Sequence, residues 1–247
     1  MEFKVVRNDI VYMDVDAVVL PANPELKEGN GTSNAIFEKA GRRKLKDACY
    51  ETCKKNGKIP VGRAIATLGY GLGAKFIIHA VVPKYIDGKR FEYELLSAAY
   101  LSALELADRM DCKSIAFPLL ASGHNRFDVS LAYKIAKESI ESYAPKNMLE
   151  EVNLVVYSSD SMALMLKLGV DVIKEIDDRY VLSKDETYRN DWQELKHRAK
   201  KEVEKLYDEN KEALIERAIN WISDPEIYKR LLKTAGEITK IALKGDI

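Results

Sequence analysis

Two short runs of small and polar residues carry the groups in this chain that could do chemistry. The first is Pro21-Ala22-Asn23 followed by Gly29-Asn30-Gly31-Thr32-Ser33, and the second is Ala121-Ser122-Gly123-His124-Asn125-Arg126-Phe127-Asp128. Each lies between an apolar, strand-like run and a helical one. Glycines placed just before a helix leave backbone N–H groups unpaired and directed outward, which suits a phosphate or another anion. The same glycines also serve turn geometry alone. Asn23 can offer its amide to a ligand or simply close an Asx turn. His124 is the one imidazole in either run and becomes a candidate base if its ring turns inward.

The flanking elements must hold these runs in place. Val18 to Leu20 reads as a short buried strand, and a helix opens near Thr32 and ends at Gly41. Arg42 to Lys55 is a second helix with Leu45, Ala48, Cys49 and Cys53 on one stripe. Phe3 to Arg7, Arg63 to Leu68 and Lys75 to His79 read as strands, and Glu92 to Arg109 as a long helix. Ser114 to Leu120 is nearly all apolar, as a central strand covered on both faces should be, and feeds the second run before a helix over Val129 to Tyr143. Val152 to Tyr157 reads as the last strand, followed by a helix to Leu168 capped by Asp160 or a neighbouring serine. Strands alternating with helices to about Ile173 predict an α/β fold, in which loops at the C-terminal strand ends line a ligand crevice.

Several other features read as structural. Gly69-Tyr70-Gly71-Leu72-Gly73 lacks the glycine spacing of a dinucleotide loop and precedes a strand, so it predicts a turn. No Gly-Lys-Ser/Thr occurs, which excludes a P-loop. His79 is expected to be a hydrogen-bonded core residue. Cys49 and Cys53 are expected to pack in the core, because no further Cys or His lies near enough in sequence to complete a metal site. Neither a metal nor a cofactor is expected.

At 247 residues and 47% apolar, the chain has room for one large domain plus an extension. Its 39 basic residues balance its 39 acidic ones, so it lacks the global basic field that drives nonspecific nucleic-acid binding, and nucleic acid is not an expected partner. No apolar run approaches the roughly 18 residues of a membrane span, and the start does not resemble a signal peptide. With three cysteines, an odd number, taken as reduced, the expected location is cytoplasmic, with no membrane partner. Composition shifts near residue 175, where glycine almost disappears until Gly236 and apolar residues take helical spacing. Trp192, Leu195, Ala199, Val203 and Leu206 form one stripe, and Asp224-Pro225 opens a later helix. The expected division is a domain over 1–175 and a helical extension over 176–247. Trp192 and Trp221 should be buried, and residues 180–247 should carry partner binding or self-association.

Taken together, the motifs resemble those of the macrodomains, a family of ADP-ribose-binding modules, over roughly residues 1 to 170. Asn8-Asp9-Ile10 resembles the family's early Asp-Ile, and Pro21-Ala22-Asn23 with Gly31-Thr32-Ser33-Asn34-Ala35-Ile36 its first ligand loop. Pro60 to Ala64 and Ala74 to His79 resemble its middle strands, and Ser114 to Pro118 with Ser122-Gly123 its second loop. The resemblance implies a three-layer α/β/α fold with a mixed central sheet. It also implies ADP-ribose or an ADP-ribosylated substrate as ligand, and hydrolysis of an ADP-ribosyl or O-acetyl-ADP-ribose bond. By the same resemblance, Asp9 would accept from the adenine amino group, with Ile10 and Tyr157 beside the base. Ala22 belongs to the first loop, Asn23 would face the distal ribose, and Gly31, Thr32 and Ser33 would receive phosphate. Ser122, Gly123, His124, Asn125 and Arg126 would wrap the diphosphate, and Phe127 would pack on the distal ribose.

Four positions depart from the family pattern. Leu20 stands where many members have asparagine, Ser33 where the well-studied hydrolases have a water-activating aspartate, and Arg126 where they have glycine. Asn125 stands where another hydrolase branch places its aspartate. Catalysis would then rest on Asn23 as a positioning group, with His124 as the candidate base. The competing readings are an ADP-ribose reader without turnover and an interaction protein acting through its helical tail.

Overall fold

Alternate residues of β2 (Ala17–Ala22) face two different cores, and the layering of the fold follows from that alternation. Ala17 and Val19 join one apolar cluster, while Val18, Leu20 and Ala22 join the other. A strand buried on both faces needs helices on both sides, so the apolar runs of the sequence become the middle layer of three. The structure is a computed structural model and describes residues 1–184, of which Met1–Leu182 form one compact unit.

In chain order the elements are β1 (Glu2–Arg7), a 3-10 turn (Ile10–Tyr12), β2, α1 (Thr32–Ala40), α2 (Arg42–Asn56), β3 (Ala64–Leu68), β4 (Phe76–Val81) and α3 (Glu92–Arg109). They continue with β5 (Ser114–Pro118), α4 (Val129–Ser142), β6 (Glu151–Val156), α5 (Ser159–Lys167) and β7 (Val172–Lys174). The strands form a seven-stranded sheet in the order β3-β4-β2-β5-β6-β1-β7. Every neighbouring pair is parallel except β3 with β4, which makes the sheet mixed. Ile36, Phe37, Leu45 and Cys49 cover one face from α1 and α2. Leu96, Tyr100, Leu104, Ala132, Ile140 and Met165 cover the other from α3, α4 and α5. This is the three-layer α/β/α arrangement that the sequence predicts.

The glycine turn, His79 and the helical cysteines are placed as the sequence predicts. Gly69 to Gly73 form the turn between β3 and β4, and a Cβ on Gly69 would lie 1.9 Å from the Ala74 carbonyl oxygen, so only glycine fits. His79 is fully buried, with Nε2 2.8 Å from the Thr67 hydroxyl. Cys49 lies in the core, where burial pushes its thiol up to about 12, and Cys53 packs beside it. Among the described residues, no group of three His, Cys, Asp or Glu could hold a metal. No described helix is long and apolar enough to cross a membrane.

β7 is a correction, because the sequence places the last strand at Val152 to Tyr157. It has three residues and only Val172 is buried, too little for alternation to register, and it pairs in parallel with β1, far away in sequence. The cap of α5 is Ser158, whose hydroxyl accepts from Ser161 N–H. The expected tail stripes, Trp192 and Trp221 lie outside the described residues.

Candidate functional site

β2 and β5 are parallel neighbours, yet the helices that follow them go to opposite faces of the sheet. Their outgoing loops therefore diverge, which opens a crevice at the C-terminal ends of the strands. β6 and β1 lie next in the sheet and add Tyr157 and Asn8-Asp9 to the same edge. The sequence-predicted residues thus come from four separate stretches of chain to one rim.

The first loop, residues 23–31, is closed largely by Asn23. Its Oδ1 accepts from the N–H groups of Glu25 (3.2 Å) and Lys27 (3.0 Å), and its Nδ2 donates to the Lys27 carbonyl (2.7 Å). Of the two readings left open by the sequence, the Asx-type closure is the one seen, and one amide N–H remains for a ligand. Ser33 is buried, and its hydroxyl accepts from Gly29 N–H at 3.0 Å, tying the loop to α1. Gly31 sits at φ 58°, ψ −126°, a conformation natural only to glycine, and no side chain caps the helix it precedes. The opening turn of α1, from Thr32, therefore presents backbone donors at its positive end.

The second loop, residues 119–128, is held from beneath. Tyr100, fully buried, accepts Leu120 N–H on its hydroxyl at 2.9 Å, and Ser122 donates to Leu119 O at 2.8 Å. Arg126 takes φ 64°, a left-handed conformation that costs a non-glycine residue about 1 kcal/mol, and its N–H donates to Gly123 O at 2.9 Å. Asn125 accepts Tyr85 N–H on its carbonyl at 2.8 Å. The Tyr85 loop is fixed in turn by Glu92, whose carboxylate accepts from the N–H groups of Ile86, Asp87, Gly88 and Arg90. Burial works against the Glu92 charge, but these donors hold its pKa down to about 2.

Phe127 is placed differently from expectation, while His124 stays at the rim. Phe127, expected on a sugar face, is 3% exposed and packs edge-on against Tyr85, with ring centroids 5.3 Å apart. Its apolar ring gains more from the core than from the rim. His124 is exposed, and its Nε2 lies 3.3 Å from Nδ2 of Asn30, so it bridges the two loops across the crevice.

At the far end, Asp9 caps the 3-10 turn, with Oδ1 accepting Val11 N–H at 3.3 Å. Ile10 is buried and Tyr157 half-buried. The other Asp9 oxygen accepts from the Tyr180 hydroxyl at 3.3 Å, a contact no local motif announces. The remaining carboxylates of the two loops have structural partners: Glu25 pairs with Lys58, Glu28 with Arg42 and Lys46, and Asp128 caps α4.

A family model described as Macro domain matches residues 19–136. A macro domain-containing protein of Listeria monocytogenes serotype 4b (strain F2365) is 37% identical over 171 residues, covering 68% of this chain and 97% of that protein. A protein of Escherichia coli (strain K12) named O-acetyl-ADP-ribose deacetylase is 34% identical over 165 residues, covering 66% of this chain and 93% of its own length. Among solved structures, the Oceanobacillus iheyensis macrodomain with ADP aligns at a TM-score of 0.62 and 30% identity, over 73% of this chain and 91% of that one. A mutant of that macrodomain with ADPR aligns at a TM-score of 0.61 and 32% identity, over 66% and 89%. With relatives of this identity covered almost end to end, the chain belongs to the macro domain family.

Proposed function

We propose that the crevice binds ADP-ribose or the ADP-ribosyl group of a modified substrate and hydrolyses an ADP-ribosyl or O-acetyl-ADP-ribose bond. The observation that carries this reading is the pair of backbone-donor loops facing each other, with Asp9 at one end and Asn23 at the other. Asp9 takes the adenine amino group, and Ile10 and Tyr157 flank the base. Gly31 to Ser33 and Ser122 to Arg126 take the diphosphate. Asn23 lies toward the distal ribose. Asp9→Ala is expected to weaken ADP-ribose binding by about 1.5–3 kcal/mol, through loss of a charge-assisted hydrogen bond. Titration calorimetry reads this directly, and unchanged affinity would remove Asp9 from the site.

The relatives named O-acetyl-ADP-ribose deacetylase support turnover. Deacetylation adds water to the ester carbonyl and releases acetate and ADP-ribose. Because the loop carboxylates are held by structural partners, the water has no free carboxylate as base. The reaction would then depend on orientation by the remaining Asn23 N–H, the ligand's own phosphate and, as the candidate base, His124. The purified protein is expected to release acetate from O-acetyl-ADP-ribose. Tight ADP-ribose binding with no release from acetyl-, ester- or glycosidic-linked substrates would establish the reader instead. That second reading draws support from Ser33, whose hydroxyl holds Gly29 N–H and offers no base.

The same proposal keeps the division at residue 175, with the first part of the 176–247 extension folded back on the domain. It places the protein in the cytoplasm and assigns partner binding or self-association to residues 180–247.

A further inference from the structure

Beyond β7 the chain does not leave the domain but crosses the end of β1. Glu175 and Ile176 both donate backbone N–H to the Arg7 carbonyl, at 3.1 and 3.2 Å, and Asn8 donates its side-chain amide to Glu175. Asp177 caps a helical turn over residues 178–184 by accepting Tyr180 N–H at 2.9 Å. Arg7, only 5% exposed, is paired with Asp178 at 2.5 Å, and Ser159 donates to the same Asp178 oxygen at 2.7 Å. A buried guanidinium needs a counter-charge, so Asp178 is a latch with a reason to stay closed. Val181, three residues on, is buried.

This segment is pinned at points and does not pack along its whole length. An open cavity of about 510 Å³ is lined by Arg7 and by residues of the chain from Lys174 to Tyr180. The Tyr180 hydroxyl reaches out of that segment to Asp9. Of the two Asp9 oxygens, Oδ1 accepts from the turn it caps and Oδ2 from Tyr180, so a base amino group approaching Oδ2 must share or displace the Tyr180 contact.

We propose that residues 175–182 form a gating strap over the nucleobase end of the cleft, in which Tyr180 competes with the base amino group for Asp9. Binding of an adenine nucleotide then loosens the strap. The inference rests on the ADP-ribose reading of the cleft. It adds a coupling between that site and the strap, in which ligand and strap each favour one state of the same carboxylate.

Titration of the full chain with ADP-ribose and with AMP, in wild type and Tyr180→Phe, tests the competition. The phenylalanine keeps the ring and removes the competing donor, so both ligands are expected to bind about threefold to tenfold tighter. Hydrogen exchange at residues 175–182 is expected to rise on saturation with ADP-ribose, and to rise without ligand in Asp178→Asn. Equal or weaker binding by Tyr180→Phe, or a strap that becomes more protected with ligand, would overturn the proposal while leaving the cleft reading intact. Asp178→Asn with unchanged exchange would overturn the latch. If neither wild type nor Tyr180→Phe binds ADP-ribose or AMP, the cleft reading fails and the competition fails with it.

Discussion

Asn23→Ala is expected to lower ADP-ribose affinity at least about tenfold and to reduce ester or glycosidic hydrolysis to background, a larger effect than any other single change in the two loops. Its amide makes three hydrogen bonds that hold residues 23–27 in one shape. At a net contribution of roughly 1 kcal/mol each, alanine removes about 3 kcal/mol of loop order before any contact with a ligand is considered. Alanine alone therefore cannot separate a positioning role from a structural one. Asn23→Asp can. The aspartate still accepts from Glu25 and Lys27 N–H, keeping two of the three loop bonds at the cost of an oxygen facing the Lys27 carbonyl, and it has no N–H for a ribose hydroxyl or a water. Its charge also opposes the diphosphate, so the comparison belongs at saturating substrate, in kcat. A kcat lowered about a hundredfold or more in Asn23→Asp, with a loop that still binds ADP-ribose, assigns the remaining amide N–H to the transition state. A wild-type kcat in that variant would leave Asn23 as loop architecture only.

The departures from the family pattern become physically coherent once the side chains are placed. Leu20 is a core residue, 1% exposed against the α1 and α2 layer, so an asparagine there would need partners that this apolar cluster does not supply. Ser33 replaces a charge by a hydroxyl that fastens the loop to α1. Arg126 keeps the left-handed turn for which glycine is the usual residue, at a modest strain cost, and places an exposed cation on the second loop. These changes leave the two loops without a free carboxylate and leave His124 as their one candidate base. For that reason the proposed hydrolysis leans on positioning by Asn23 and the ligand's own phosphate.

Much of this was legible in the sequence because the signals were local and dense. Val18 to Leu20 and Ser114 to Leu120 read as doubly covered strands by composition, and the small-residue loops behind them marked the crevice. Asp9 and Ser33 take their roles from the resemblance, and Asn23 stands out by type and place as well, although the sequence does not give their hydrogen-bond partners. Asn23 carried both an Asx-turn and a ligand reading, and only its distances to Glu25 and Lys27 separate them. What sequence could not give is long-range pairing between short polar pieces. β7 has three residues, Tyr180 reaches Asp9 across a separation of 171 positions, and His124 meets Asn30 across 94. Such contacts have no periodicity, and each depends on elements that fold first.

Acidification between about pH 6.5 and pH 4 is expected to destabilise the domain by roughly 3 kcal/mol through His79 alone. The ring lies on β4 in the core with no exposed surface, and burial lowers its pKa from 6.5 to about 4. In the folded chain it therefore remains neutral where the unfolded chain has begun to bind a proton. Above pH 6.5 neither state is protonated and the full stability is present. As the pH falls toward 4 the unfolded state gains the proton first, so stability declines across that window and levels off below it. The geometry offers no relief, because Nε2 is committed to the Thr67 hydroxyl and Nδ1 has no partner that could share a positive charge. Carboxylates with lowered pKa values, such as Asp16, held chiefly by Lys75, and Glu151, held chiefly by Lys4, lose their contributions only as the pH falls below the ordinary carboxylate range. The two effects therefore occupy different windows. Urea unfolding at closely spaced pH values measures the slope. His79→Leu is expected to flatten it between pH 6.5 and 4.5, at the cost of an unpaired Thr67 hydroxyl, while leaving the steeper loss at lower pH in place. A wild-type stability that stays level from pH 7 to 4.5 would show that His79 is solvated or paired in the folded protein.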